Sequence, residues 1–179
     1  VPSPVFLVAG FFDGVHLGHR SIIAYARQAA RENGGEAWVL TFDTHPLKVL
    51  HPPAAPLMLT STDHKIALFN ASGVDGCVVL SFTTELAAAP ANVFADTLFH
   101  CSPPLTEVAV GENWPFGETA TGTPELLREL GSEAGLRATK MPPLTYDGET
   151  ISSTRSRTAV MRGDLDHAAE LLCSPVSVL

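Results

Sequence analysis

Apolar residues along this chain fall in short unbroken runs separated by stretches with helical spacing. Val5-Phe6-Leu7-Val8-Ala9 and Ala37-Trp38-Val39-Leu40-Thr41-Phe42 are the first two runs. Runs this short, without polar alternation, predict strands buried on both faces. Val74 to Leu80, Leu105 to Val110 and Leu136 to Met141 predict three more. Between them lie helical patterns: residues 18 to 33; a segment from Ser61-Thr62-Asp63 to Asn70, stopped by Gly73; Ala91 to Phe99; and Pro124 to Ala134, capped by Thr123. Residues 47 to 60 hold Pro52, Pro53 and Pro56 and no period, which predicts a long loop of the kind that serves as a lid or binding loop. Beyond Pro142-Pro143, Tyr146-Asp147-Gly148-Glu149 predicts a turn. Two helices follow, one to Met161 and one over 165 to 172, divided by Gly163-Asp164. Strands alternating with helices predict an α/β fold, a Rossmann-like parallel sheet flanked by helices, with right-handed crossovers.

Length and charge narrow the classes. The 179 residues suffice for one well-cored domain, and the expectation is a single domain over 1–179. A net charge of −8 argues against a nucleic-acid partner, which calls for a basic face. It leaves room for a phosphate ligand, because a site can be locally positive in an acidic protein. No apolar run approaches the roughly 18 residues of a membrane span, and Val1 to Ala9 lacks the form of a signal peptide. The chain begins at Val1 without an initiator Met, so a trimmed sequence is expected. Cys77, Cys101 and Cys173 are scattered and odd in number; a buried Cys77 thiol and a reducing, cytoplasmic setting are expected.

Two stretches carry candidate chemistry. The first follows the first strand: Gly10-Phe11-Phe12-Asp13-Gly14-Val15-His16-Leu17-Gly18-His19. It reads as a Gly-rich turn into a helix. Free N–H groups and a partial positive charge at a helix N-terminus suit phosphate, and Gly14 and Gly18 permit close backbone approach. His16 and His19, three apart, share a face of the first turn. Their spacing fits neither HExxH nor a zinc finger, so no metal-ligating set is expected. The second stretch is Ile151-Ser152-Ser153-Thr154-Arg155-Ser156-Arg157. Ser152 or Ser153 caps a helix there, and hydroxyls, N–H groups and Arg155 gather at its start, a phosphate-binding combination. Arg157 fits a solvated surface charge. Two strand exits add candidates: Asp43-Thr44-His45-Pro46 after the second strand and Gly111-Glu112-Asn113-Trp114-Pro115-Phe116-Gly117 after the fourth. Ligands of open α/β sheets sit at such exits. Phe82, leaving the third strand, is a stacking or packing group.

His16-Leu17-Gly18-His19 resembles the HxGH signature of the nucleotidyltransferase superfamily. Phe12 through Arg20 resembles the bacterial FAD synthetase family, the FMN adenylyltransferase module of riboflavin kinase/FAD synthetase. Ile151-Ser152-Ser153-Thr154-Arg155 is similar to that superfamily's phosphate-holding motif. The loop from Gly111 to Gly117 is similar to the family's flavin-side segment, with Trp114 for the usual Phe, an added Pro115, and Glu118 where a basic residue is common. Thr44 replaces a Pro of the family pattern.

The resemblance implies transfer of AMP from ATP to FMN, giving FAD and pyrophosphate. It implies His16, His19 and Arg155 as catalytic residues. It implies Phe12, Asp13, Gly14, Gly18, Ser152, Ser153 and Thr154 around ATP and its phosphates, and Asp43, His45, Phe82, Asn113 and Phe116 on the flavin side. Mg²⁺ is expected to ride mainly on the substrate phosphates. A riboflavin kinase domain is expected to be absent from these residues, removed or separate. Two alternatives stand beside this reading: the same nucleotidyl chemistry on another phosphorylated acceptor, and a flavin- or nucleotide-binding module without turnover. A redox flavoprotein is disfavoured, because the GxGxxG dinucleotide fingerprint is missing after the first strand.

Overall fold

A computed structural model describes residues 3–100 and 104–174. Cys101 and the chain after Ser174 lie outside the described residues.

Five strands form one parallel sheet: β1 (Val5–Ala9), β2 (Glu36–Phe42), β3 (Gly76–Leu80), β4 (Leu105–Gly111) and β5 (Arg137–Met141), in the order β3-β2-β1-β4-β5. The helices are α1 (Leu17–Asn33), α2 (Pro46–Leu50), α3 (Thr62–Ala71), α4 (Thr84–Ala87), α5 (Ala91–His100), α6 (Pro124–Glu133), α7 (Ser153–Met161) and α8 (Leu165–Leu172). Among the described residues none is long and apolar enough to cross a membrane.

The expected α/β fold with a parallel sheet between helices is present. All five residues of β1 are buried, as a central strand with helices on both faces requires. Its alternating side chains feed two cores. Phe6 and Val8 meet Ile23, Ala26 and Ala30 of α1 and Phe69 of α3; Val5, Leu7 and Ala9 meet Phe94, Ala95 and Leu98 of α5 and Leu127 of α6.

Several expectations change in detail. The stretch 47 to 60 is not uniformly irregular. His45 caps the short helix α2 by accepting from Leu47 N–H at 3.1 Å, Pro46 opens it, and a single 3-10 turn covers Pro52–Ala54. The period is invisible because a five-residue helix is too short to show one. The third strand starts at Gly76, two residues later than its apolar run. The turn at 146 to 149 is the tip of a small hairpin, β6 (Thr145–Tyr146) with β7 (Glu149–Thr150). Cys77 is half-buried rather than buried, because β3 is an edge strand.

The strand order matters for function. The chain winds outward from β1 to β3, then crosses back to β4 on the other side of β1. The carboxyl ends of β1 and β4 therefore bound the crevice where such sheets bind ligands.

Candidate active site

β1 leads into a turn with unusual backbone: Phe12 has φ 56°, Gly14 φ 78° and Val15 φ 42°. Positive φ is costly at Phe12 and more so at β-branched Val15, so the surroundings must enforce it. They do so through Asp13. Its carboxylate, 1% exposed, accepts from the N–H groups of Leu59 and Thr60, both at 3.0 Å, and from the Thr60 hydroxyl at 3.1 Å. Gly14 N–H donates to Thr60 Oγ1 at 3.0 Å, and Arg20 Nε donates to the Val15 carbonyl at 3.1 Å.

This turn delivers His16 to the N-cap of α1. His16 Nδ1 accepts from His19 N–H at 3.3 Å, the role Ser or Asp usually has at a helix start. With Nδ1 accepting, the neutral ring carries its proton on Nε2 and presents a donor. His19 stacks on His16, ring centroids 3.5 Å apart and 16° from parallel, and the Phe12 ring meets His19 edge-on at 5.1 Å. Gly18 gives the stack room: a Cβ there would sit a tight 3.2 Å from His16 Cε1 and Nδ1. Burial lowers the His16 pKa to about 4, assisted by the Arg157 charge and opposed by Asp13. Burial lowers His19 well below its usual value, and the neighbouring His16 and Lys65 push the same way. Both rings are neutral near pH 7.

The second stretch comes against the first. Ser152 caps α7 by accepting from Arg155 N–H at 3.1 Å. The Ser153 hydroxyl donates to the Asp13 carbonyl at 3.0 Å, and Arg157 NH2 pairs with Asp13 Oδ2 at 3.1 Å. Two helix N-termini, α1 and α7, thus meet across one aspartate, about 140 residues apart in sequence. Thr154 is exposed at the start of α7. Three buried side-chain polar atoms among the described residues lack a hydrogen-bond partner, and two of them are here: His19 Nδ1 and Arg157 Nε. Buried polar atoms are ordinarily satisfied, so these two set the histidine turn apart from most of the interior.

The structure redistributes several sequence-derived roles. Arg155 is turned away from the histidines: its guanidinium donates to the carbonyls of Tyr146 (2.9 Å) and Glu149 (3.0 Å), lies 3.6 Å from the Glu149 carboxylate, and approaches His167 Nε2 at 3.4 Å. It ties the hairpin to α7 and α8. Arg157 is the cation at the histidine turn, with its side chain only 14% exposed. Helical spacing carried that signal, since Arg157 lies four residues after Ser153 and shares its face. Asp13 is a brace for the turn rather than a free phosphate-side group. Thr60, its main partner, gave no sequence signal because its role depends on where the loop closes.

On the flavin-side list, Asp43 accepts from the Ser81 hydroxyl (2.7 Å) and Phe82 N–H (3.1 Å), binding the exits of β2 and β3 together. These bonds, the Ser81 hydroxyl first, lower its pKa. Phe82 packs edge-on against Phe42, centroids 5.7 Å apart. Phe116 is not a free stacking face. It is 5% exposed, between Trp114 at 5.4 Å and Phe94 at 5.6 Å, and a Cβ on Gly122 would strike its ring. Asn113 is exposed at the exit of β4. His45 sits beside the Phe11 ring, 4.8 Å between centroids. Asp43, Thr44, His45, Lys48, Thr60 and Lys65 are among the residues lining a cleft of about 260 Å³ at the exit of β2.

Comparison with known proteins identifies the family. The model of the FAD synthetase family matches residues 1–155. The chain is 32% identical over 170 residues to the bifunctional riboflavin kinase/FMN adenylyltransferase of Listeria monocytogenes, covering 94% of this chain and 54% of that protein. It is 31% identical over 172 residues to the Escherichia coli K12 protein of the same name, covering 96% and 55%. The chain thus spans about half the length of the curated relatives it matches. A crystal structure described as a macrolide-efflux protein from Streptococcus pneumoniae superposes with a TM-score of 0.86 at 28% identity, over 98% of this chain and 66% of that one. By family match, identity and fold together, the chain belongs to the FAD synthetase family.

Proposed function

We propose that this chain transfers AMP from ATP to FMN, forming FAD and releasing pyrophosphate. The observation that carries the proposal is the junction of α1 and α7: two stacked neutral histidines, a buried arginine and two helix N-termini around one aspartate. Helix N-termini and a guanidinium both favour phosphate. The relatives' names supply the acceptor, FMN.

In this reading an oxygen of the FMN phosphate attacks the α-phosphorus of ATP in line, the bond to the β-phosphate oxygen breaks, and pyrophosphate departs with the electron pair. A phosphate is already a nucleophile at neutral pH, so no covalent enzyme intermediate is required. Catalysis is then positioning plus stabilisation of growing negative charge. His16, a donor through Nε2, and His19 bond the α-phosphate. Arg157 and the first-turn N–H groups and Thr154 hydroxyl of α7 hold the departing phosphates. Asp13 keeps the turn and Arg157 in place. Asn113 and the His45 side of the cleft serve the flavin, with Phe82 and Phe116 as the packing beneath. Arg155 acts only by fixing the hairpin.

Mg²⁺ on the nucleotide would supply charge neutralisation at the phosphates. The ion would be held mainly by phosphate oxygens and water, as Mg²⁺ prefers. A cytoplasmic setting, where ATP is supplied, completes the proposal.

One observation favours a second reading. The phosphate side is densely built, whereas two of the expected flavin contacts, Phe116 and Asp43, are committed to packing and to strand exits. The same machinery would serve a different phosphorylated acceptor. Incubation with ATP and Mg²⁺ plus either FMN or a panel of phosphorylated acceptors separates the two. FAD from FMN alone supports the first reading. Pyrophosphate release only with another acceptor replaces it. No product with any acceptor leaves a binding module.

A further inference from the structure

Lys65 is a buried cation that the mechanism above does not use. It lies on α3, is 1% exposed, and shares the helix's inner face with Phe69, four residues on. Its amine donates to the Phe11 carbonyl at 3.1 Å, the Phe42 carbonyl at 2.7 Å and Thr41 Oγ1 at 3.3 Å. The Thr41 hydroxyl in turn donates to the Phe11 carbonyl at 2.9 Å, and the ammonium stands 4.2 Å from the Phe11 ring centroid. No carboxylate lies within ion-pair distance among the described residues. An interior charge without a counter-ion is expensive, and an apolar residue would fill the place at lower cost unless the charge has a task.

The acceptors indicate the task. Phe11 is where β1 leaves the sheet toward His16 and His19, and Phe42 is where β2 leaves it toward Asp43 and His45. An ammonium has three protons, and three oxygens receive them. We propose that Lys65 is a positioning residue for adenylyl transfer: its ammonium fixes the histidine turn relative to the Asp43–His45 wall of the cleft, so the α-phosphate and the attacking acceptor are held in line. The proposal rests on the adenylyl-transfer reading. It adds that the two strand exits are set by one charge rather than by sheet bonding alone.

The surroundings support a protonation-dependent link. Burial lowers the Lys65 pKa to about 8, with Asp13, Cys77 and Asp43 raising it. The groups facing it are Asp13 on the turn, His19 on α1, Asp43 at the exit of β2, His45 at the N-cap of α2 and Cys77 on β3. Above that pH the amine has two protons for three oxygens, and one strand exit loses its tie. The histidines, already neutral, do not titrate there.

The test compares wild type, Lys65→Arg and Lys65→Met for FAD formation at saturating ATP and FMN from pH 6 to 10, with folding checked by circular dichroism. In the wild type kcat should fall as pH rises through about 8. Lys65→Arg should keep measurable turnover and lose that alkaline fall, because a guanidinium stays charged. Lys65→Met should lower kcat by about tenfold to a hundredfold at pH 7, with a smaller change in the ATP KM, as misplacement of bound groups predicts. A folded Lys65→Met with wild-type kcat, or an unchanged alkaline fall in Lys65→Arg, overturns the assignment. Ring NMR signals of His19 and His45 give a readout free of turnover and of variants: in the wild type they should shift with a midpoint near pH 8, and rings indifferent to that titration also overturn it. Wild type that makes no FAD refutes the adenylyl-transfer reading itself, and the ring signals still judge Lys65.

Discussion

At the scale of single residues, this site depends on charges that are buried or withheld. His16 takes up a proton near pH 6.5 when unfolded and only near 4 when folded, chiefly because burial penalises the imidazolium. Between those values the unfolded chain binds more protons. Stability is therefore complete above pH 6.5 and falls as pH drops toward 4, by about 3 kcal/mol for a shift of this size. His19 adds in the same direction. The thermal midpoint should decline steadily from pH 7 to 5, and His16→Asn, which keeps a cap acceptor, should flatten the decline. A midpoint constant across that range would contradict the buried neutral rings. The two arginines of α7 make a second contrast. Arg157→Lys should weaken ATP binding and turnover by about tenfold or more, since a bidentate-capable, buried guanidinium is not replaced by an ammonium. Arg155→Lys should mainly lower the thermal midpoint, because its partners are the carbonyls of Tyr146 and Glu149. Titrating ATP against both variants decides it; equal losses would restore Arg155 to the phosphate site.

At the scale of elements, the turn between β1 and α1 is braced from a distant loop and a distant helix. Gly18 shows how little slack remains. Alanine suits a helix interior better than glycine by about 1 kcal/mol, and at the second position of α1 part of that gain offsets the tight contact, so Gly18→Ala should leave stability nearly unchanged. Its Cβ would nevertheless press on the His16 ring at 3.2 Å. The expected outcome is an undiminished melting temperature with turnover reduced several-fold; intact turnover would mean the stacked geometry is not required.

Elements with strong local patterns were legible in the sequence: the five strands, α1, the Thr123 cap of α6 and a serine cap of α7 at Ser152 or Ser153, which the structure assigns to Ser152. So were the two helix starts that meet at Asp13, because a helix start declares itself through caps and glycines. What stayed hidden depends on long-range closure. Asp13 looks like a loop carboxylate until Leu59 and Thr60 arrive. Phe116 looks like an exposed aromatic until Phe94 of α5 covers it. Arg155 and Arg157 differ only in which face of α7 they occupy, and that was readable from Ser153 but required knowing which face meets α1. Lys65 follows the same rule through Phe69.

At the scale of the whole molecule, the parallel sheet does one thing for chemistry: it reverses winding direction between β1 and β4, so the crevice opens where the histidine turn and Asn113 emerge. In an acidic chain with net charge −8, Arg157 with two helix N-termini makes a locally positive junction, the feature that the proposed ATP site calls for. The central claim is that adenylyl transfer to FMN takes place at this junction. Its most direct test is one paired measurement: ATP, Mg²⁺ and FMN incubated with wild type and with His19→Ala, separating flavins by chromatography and measuring pyrophosphate. The account predicts FAD and pyrophosphate in equal amounts from wild type, and a loss on the order of 10² from a folded His19→Ala. Equal FAD from both proteins would contradict the histidine site, and no FAD from the wild type would contradict the reaction.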